Sequence, residues 1–374
     1  MIAAMMLFVM AVCEAEAAQW TEFAVYPKPE NQELPDIHGR TVVWQELVEG
    51  DYDIYGADIS DTANPNVFAV VEYTENEEQP RIFEDMVVWQ VFIETDWDVW
   101  AADISNPAVP KEYVVSDYID VDEKSPAISG NVVVWQDDYY GDWDVWGADI
   151  TDPCYPAEFA IFSYDANQEG AAIYRDTVVC EDWYYGNGGI AGADIWMRNK
   201  PEEFEISALK NGQKNPAVSG NIVVWENSVS GNSDIYGADI SNPGSPIELA
   251  IVKNASVQKN PDVDGHLVVW QDNRNGNWDI YGYNLTTRKE FRITDEAHDQ
   301  VNPAISGNVV VWQDKRSGYW NIRGAVLDGP EAAVCTSWPA GDVNGDCRVD
   351  FMDFALMAGN WLKCNLEPGQ ACVD

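Results

Sequence analysis

One string recurs along this chain and limits the fold more than any other feature. Ser125-Pro126-Ala127-Ile128-Ser129-Gly130-Asn131-Val132-Val133-Val134-Trp135-Gln136-Asp137 is followed by an aromatic-Asp-Ile-Tyr-Gly-Ala-Asp-Ile-like run, and variants of both return over most of the sequence. The Trp position falls at Trp44, Trp89, Trp135, Cys180, Trp225, Trp270 and Trp312, at intervals of 42 to 46 residues. Nine residues earlier stand Pro35, Pro80, Pro126, Ala171, Pro216, Pro261 and Pro303. Seven matches at near-constant spacing define one supersecondary unit that must bury its apolar face against its neighbours.

Each unit reads as four short strands, in the third copy residues 127–129, 132–136, 143–150 and 158–162. The second strand (Val-Val-Val-Trp) is apolar on both faces, which suits a strand covered on each side. Helical spacing is absent across the region. Repeated four-stranded units of this length predict an all-β chain, a seven-bladed β-propeller of four-stranded blades. The string Glu22-Phe23-Ala24-Val25 matches the fourth-strand strings Glu158-Phe159-Ala160-Ile161 and Glu290-Phe291-Arg292-Ile293, whereas the seventh unit has a third strand (321–327) but no fourth. The N-terminal string is therefore expected to complete the last blade and remove two exposed sheet edges. The alternative, an open solenoid of stacked sheets, leaves residues 22–25 unpaired.

The pattern Asn-Pro-x-Ile-Ser-Gly-x-Val-Val-Trp-x-Asp…Asp-Ile-Tyr, spread over about residues 20–327, resembles the TolB-type β-propeller repeats of bacterial periplasmic and of bacterial or archaeal surface proteins. That resemblance implies the fold and leaves function open. The scaffold hosts binding proteins, lyases and peptidase accessory domains alike.

Residues 1–18 read as an export signal: an apolar run (2–12) leads to Ala15-Glu16-Ala17-Ala18, a small-x-small cleavage pattern, although the usual basic start is missing. No later apolar stretch is long enough to span a bilayer. The expected location is thus secreted, periplasmic or cell-surface. Of the cysteines remaining after cleavage, Cys335, Cys347, Cys364 and Cys372 crowd the C-terminus, which suits local disulfides in an oxidising compartment, with the pairing left open. The formal charge of −43 disfavours nucleic acid and anionic membranes as partners and leaves cations and neutral polymers such as glycans. With 17 Trp and 17 Tyr, so acidic a chain still has the means to build a core, and the acids belong on its surface.

Within the repeats, the Trp side chains are expected between blades. The third-strand acids Asp53, Asp98, Asp144, Asp234 and Asp279 recur in nearly every unit, which favours bonds to nearby backbone amides over a catalytic or metal role. Asp58, Asp103, Asp149, Asp194 and Asp239 are read the same way at a strand end. The fourth unit departs from the pattern, with Cys180 for Trp, Ala171 for Pro, Gly188-Gly189 for aromatic-Asp, and the loop Glu181-Asp182-Trp183-Tyr184-Tyr185. Trp183, Tyr184 and Tyr185, with Tyr139 and Tyr140, form a candidate glycan platform: flat apolar faces for sugar rings beside acceptors for hydroxyls. Drift of one blade explains the same residues. Catalysis has little support. His38 and His266 fall at first-to-second strand turns of units one and six, and neither a Gly-x-Ser-x-Gly elbow nor His-Glu-x-x-His occurs. Among 64 acids, a glycosidase-type carboxylate pair cannot be told from chance pairs.

After a linker (328–340), residues 341–374 change character. Asp342, Asn344, Asp346, Arg348 (through its carbonyl), Asp350 and Asp353 occupy positions 1, 3, 5, 7, 9 and 12 of a loop, the spacing that wraps a Ca²⁺ ion with oxygens. Phe354, Met357, Ala358 and Trp361 then make one helical apolar stripe. This stretch resembles the first half of a type I dockerin, which implies calcium as cofactor and a cohesin-like partner on an extracellular scaffold. Only one loop–helix unit is evident, so a disulfide-clipped calcium knob for attachment to a surface protein is the alternative. Together these features predict an exported, non-catalytic binding or scaffolding propeller within polysaccharide-degrading or surface assemblies. The rival is a glycoside hydrolase or lyase with its site on the propeller axis.

Overall fold

The computed structural model describes residues 20–184, 188–207, 212–228 and 231–328. The expected export signal and the calcium module lie outside the described residues, as does nearly all of the linker. The described chain forms seven four-stranded antiparallel sheets. Six are simple meanders, such as blade 3 with Glu123–Ser129, Val132–Asp137, Asp144–Asp149 and Ala157–Phe162 in that order. Blade 7 joins Gln300–Ser306, Val309–Asp314 and Asn321–Val326 to the N-terminal strand Thr21–Ala24.

The same packing recurs at that closure as inside the continuous blades. Third-strand glycines leave room for a fourth-strand ring: Gly147 pairs with Phe159, Gly282 with Phe291, and Gly324 with Phe23. A Cβ built on Gly324 would lie 2.6 Å from the Phe23 ring. The first strand thus brings its own copy of the repeat contact, and the solenoid alternative is excluded.

Each repeated Trp is buried against the preceding blade. Trp44, fully buried, packs with Val309, Val311 and Ile322 of blade 7, and Trp89 with Val43 and Ile54 of blade 1. In blade 4 the cross-strand pair that is Trp135–Trp146 in blade 3 shrinks to Cys180–Ala191. The missing volume is filled from blade 3 by Phe162, fully buried in the same cluster, at a position held by Ser116 and Ser207 in blades 2 and 4. Compensation of this kind keeps an interior close-packed.

The inner strand is longer than expected, beginning at Glu123 rather than after Pro126. The register shifts between Lys124 and Ala127, and Ser125 sits at φ 53°. The bulge takes the strand past the proline, which has no amide hydrogen to give the ladder, and it persists in blade 4, where Ala171 stands in the proline's place. The bulge recurs in every blade: Leu34, Gln79, Gly170, Asn215, Asn260 and Asn302 also have φ between 49° and 60°.

The candidate binding mouth of the central channel

Seven inner strands enclose an axial cavity of about 570 Å³. Because strands alternate in direction, the loops that lead into the inner strands share one face with the loops between second and third strands. That face is called the entry face.

A closed belt of hydrogen bonds fixes its inner edge. The side chain following each repeated Trp position accepts from the bulge amide of the next blade: Gln45 from Gln79, Gln90 from Ser125, Gln136 from Gly170, Glu181 from Asn215, Glu226 from Asn260, Gln271 from Asn302 and Gln313 from Leu34, all at 2.8–3.1 Å. Around part of the same ring the Asn215, Asn260 and Asn302 amides bond one to the next.

Outside the belt stands a ring of aromatics, Tyr52, Trp97, Trp143, Trp278 and Trp320, all half-buried. Each precedes the repeated third-strand Asp or its Asn321 counterpart, and the loop entering the next blade holds it there. The backbone amides of Tyr52, Trp97, Trp143, Trp278 and Trp320 donate to the side chains of Asn76, Asp122, Asn167, Asp299 and Asn31 at 3.0–3.4 Å. The Trp143, Trp278 and Trp320 carbonyls accept from Gln168, Gln300 and Gln32, the first residues of inner strands. The backbone at these positions is therefore pinned on the entry face, outside the belt. Charged inner-strand residues stand among them. The Lys124 ammonium lies 5.7 Å from the Trp97 ring and 5.6 Å from Trp143, Lys214 lies 5.8 Å from Trp183, and the Tyr52 hydroxyl donates to Glu33 at 3.2 Å. Burial and the neighbouring Glu33 carboxylate raise the Glu78 pKa.

The sequence-derived platform lies on this face. Tyr139, Tyr140 and Tyr184 are 57%, 66% and 51% exposed, and Trp183 is half-buried. Tyr139 meets Tyr140 edge-on at 4.9 Å and Tyr118 at 6.0 Å, while Tyr184 packs on Tyr164 at 5.1 Å, so two tyrosine clusters form, on successive blades. Tyr185 lies outside the described residues, as do Asp342, Asn344, Asp346, Arg348, Asp350 and Asp353. The aromatic ring itself escaped the sequence reading. Its signal was present in the residue before the recurrent Asp, overshadowed by the Asp.

The strand-end acids bond throughout, and the third-strand acids only in part. Asp58, Asp103, Asp149, Asp194 and Asp239 each accept from the amide two residues on at 2.8–3.0 Å, an Asx turn ending the third strand. Of the third-strand set, Asp234 accepts from the Asn254 amide, Asp144 from the Ser163 hydroxyl and Asp279 from Arg292.

Deeper in the channel the repeat symmetry breaks. The residue after the repeated Pro position (Ala171 in blade 4) is Ala127, Ala172, Ala217 and Ala304 in four blades, but Asp36, Arg81 and Asp262 in the others. Asp36 accepts from the Ile82 amide and Asp262 from the Ile305 amide, both at 2.8 Å. Burial raises both carboxyls, Asp262 to about 7 with the Asp36 charge adding to it, and Arg81 partly relieves Asp36. The His38 ring meets the Phe83 ring at 4.5 Å, tilted by 50°, near the opposite end.

No protein-family model and no curated protein matches this chain. Solved structures do. A mycobacterium tuberculosis puromycin-hydrolyzing peptidase aligns with 78% of the chain at 12% identity and TM-score 0.57, and the chain spans only 52% of that protein's length. An oligogalacturonate lyase from Vibrio parahaemolyticus aligns over 84% of this chain and 98% of its own at 10% identity and TM-score 0.61. The β-propeller domain of the Trilobed protease from Pyrococcus furiosus, described as having an open velcro topology, aligns over 83% and 100% at 12% identity and TM-score 0.58. At such identities the shared property is the fold, and it is that of a β-propeller.

Proposed function

We propose that this protein is an exported, TolB-like binding propeller that holds a polysaccharide at its entry face. The observation that carries the reading is the recurrence of Tyr52, Trp97, Trp143, Trp278 and Trp320 at one position of five blades, all half-buried and all held on the same face of the propeller. Flat apolar faces interleaved with Glu33, Glu78 and Lys124 suit a chain of sugar rings, whose faces stack and whose edges carry hydroxyls. The calcium spacing of Asp342, Asn344, Asp346, Arg348, Asp350 and Asp353 supports a dockerin-like attachment to a cohesin-like or other surface protein.

A specific observation favours a second reading, an axial glycan hydrolase or lyase: Asp36, Asp262 and Arg81 break the symmetry inside the cavity. One experiment separates the two. The full chain is run through native gels containing a panel of neutral and acidic polysaccharides, and the same polymers are assayed for new reducing ends and unsaturated products. Retardation without product supports the binding reading, turnover replaces it with the enzymatic one, and neither result on any polymer removes both.

A further inference from the structure

In three blades the acid two residues after the repeated Trp is met by a cation of the protein itself. Asp272 of blade 6 pairs with Arg274 at 2.5 Å, Asp314 of blade 7 with Arg316 at 2.7 Å, and Glu46 of blade 1 with Lys28 at 2.6 Å. In blades 6 and 7 the same guanidinium also reaches a fourth-strand acid, Glu290 or Glu22. The Arg274 guanidinium lies 4.2 Å from the ring of Tyr281, the cross-strand partner of Trp270, and the Lys28 ammonium lies 5.3 Å from Tyr55, which holds that place in blade 1. All three Trp indoles donate to the acid, at 3.2–3.4 Å.

Blade 3 keeps each part of this arrangement except the cation. Asp137 is the acid, Trp146 is the ring opposite Trp135, and Glu158 stands at the register position of Glu290 and Glu22. The arginine position is Tyr139, whose backbone amide donates to Asp137 at 3.1 Å, as the Arg274 and Arg316 amides donate to their acids at 2.9 Å. Asp137 is 5% exposed, and among the described residues its second oxygen makes no hydrogen bond; the Trp135 indole N–H has no partner either. Opposite Asp137 in the ladder, Asp144 has a buried oxygen unmet, whereas its counterpart Asp279 holds a second guanidinium, Arg292. Among the described residues no Lys, Arg or His acts on Asp137, Asp144 or Glu158. Tyr118 and Tyr139 stand beside these acids: the Tyr118 hydroxyl donates to Glu158 at 2.9 Å, the two rings are 6.0 Å apart, and both residues are exposed. Blade 4 also has a tyrosine, Tyr184, at the arginine position, but Ala191 there removes the ring opposite.

We infer that blade 3 receives a protonated amine of the bound polysaccharide, in the place that Arg274 fills in blade 6, so that the ligand of the entry face is a polymer of amino sugars. The inference rests on the binding reading proposed above. Carboxylates and an indole face attract an ammonium together, and Trp is the best of the aromatic partners. Burial, first, raises the Asp137 carboxyl to about 6; the Tyr139 amide opposes this, and the Asp144, Asp138 and Glu158 charges add to it. At neutral pH the group is therefore charged, and an uncompensated buried charge gains from a cation that reaches it. An N-acetyl group is neutral and offers no such gain.

Glucosamine trisaccharide and its N-acetylated counterpart are titrated calorimetrically into the full chain at pH 7 in about 0.15 M salt, which screens the general attraction of an acidic protein for amines. The free-amine trisaccharide is expected to bind about tenfold more tightly than the acetylated one. Y139R gives blade 3 the residue of blades 6 and 7 and is expected to lose this preference. Y155R adds the same charge at an exposed site between the third and fourth strands, on the opposite face, and is expected to keep it. Should Y139R fail to fold, D137N takes its place, removing the charge while keeping an acceptor for the Tyr139 amide. A preference that survives in Y139R or D137N overturns the inference, as does one lost equally in Y155R, which traces it to overall charge. Equal affinities in the parent overturn it and leave the binding reading standing. No uptake of either trisaccharide also overturns it, and the polysaccharide gels then decide the binding reading separately.

Discussion

The Gln313 side chain accepts a hydrogen bond from the Leu34 amide at 3.1 Å, although 279 residues separate the two in sequence. That bond is the seventh of a belt whose other six join consecutive blades, so the last blade grips the first as every blade grips its neighbour. Replacing Gln313 with Ala leaves the Leu34 amide without its acceptor. A loss of about 1–2 kcal/mol is expected in urea unfolding. Gln45→Ala, at an internal boundary, is expected to cost about the same, and a much smaller loss at 313 would show that the ring is not closed by this contact.

The outer half of the closure rests on Phe23 over Gly324. Phe23→Ala empties a buried site between blades 7 and 1 and is expected to cost about 3–5 kcal/mol. Gly324→Ala forces a methyl group toward the Phe23 ring and to 3.0 Å from the Val310 carbonyl, with an expected cost of about 1–3 kcal/mol. The double variant should lose less than the sum, because once the ring is gone the methyl has space. Strict additivity in thermal melts would mean that the two residues do not touch in solution.

Blade 4 offers a test of compensation. Cys180→Trp restores the repeat residue into space already filled by Phe162 and is expected to destabilise by about 1–3 kcal/mol. Phe162→Ser, the residue of neighbouring repeats, opens a cavity and costs about 3–5 kcal/mol. Combined, the two changes should recover much of that loss in a double-mutant cycle. Failure to recover any would imply that blade 4 is shaped by something other than exchanged volume.

The blade count, the strand order and the N-terminal closure were legible in the sequence because each is written seven times or completes a sevenfold pattern. Phe23 was recognisable since Phe159 and Phe291 stand in the same string. The extension of the inner strand before Pro126 was not legible: proline reads as a strand boundary, and only the bulge at Ser125, with its positive φ, carries the strand past it. Tyr139, Tyr140, Trp183 and Tyr184 were visible as clustered aromatics. Tyr52, Trp97, Trp143, Trp278 and Trp320 were not, since their meaning comes from the radial arrangement that brings single residues of five repeats to one face. Asp36, Arg81 and Asp262 likewise gain significance only once the residue after each proline is known to face the axis.

The channel carboxylates give stability a pH dependence whose sign follows from burial. Asp262 has a folded pKa of about 7 against an ordinary value of 3.8, so the folded state holds its proton more tightly than the unfolded chain. Its contribution is fully present below pH 4 and is lost as pH rises through 7. Asp36 strengthens the effect, and Arg81 opposes it through Asp36. Asp262→Asn keeps an acceptor for the Ile305 amide and removes the charge. It is expected to be more stable than the parent by about 1 kcal/mol at pH 8, most of the shift being discounted for water in the channel, and to show no advantage at pH 4. An advantage of the same size at both pH values would trace the effect to packing.

The aromatic mouth makes the sharpest prediction about recognition. Lys124 lies near both Trp97 and Trp143, so in the proposed binding mode their faces and its charge would meet the same stretch of polysaccharide. Removing either ring deletes a stacking surface, and Trp143→Ala is expected to weaken retention by a retained polysaccharide about tenfold, the equivalent of about 1.4 kcal/mol. Trp320→Ala, on the other side of the mouth, should matter only for polymers long enough to cross it. Because these rings are half-buried at the rim and not in the blade interfaces, the melting temperature should fall far less than for Trp135→Ala, whose indole is enclosed between blades 2 and 3. Unchanged retention in Trp97→Ala and Trp143→Ala, with retention lost on changing Tyr139 and Tyr140 to Ala, would move the binding surface from the mouth to the tyrosine cluster of blade 3.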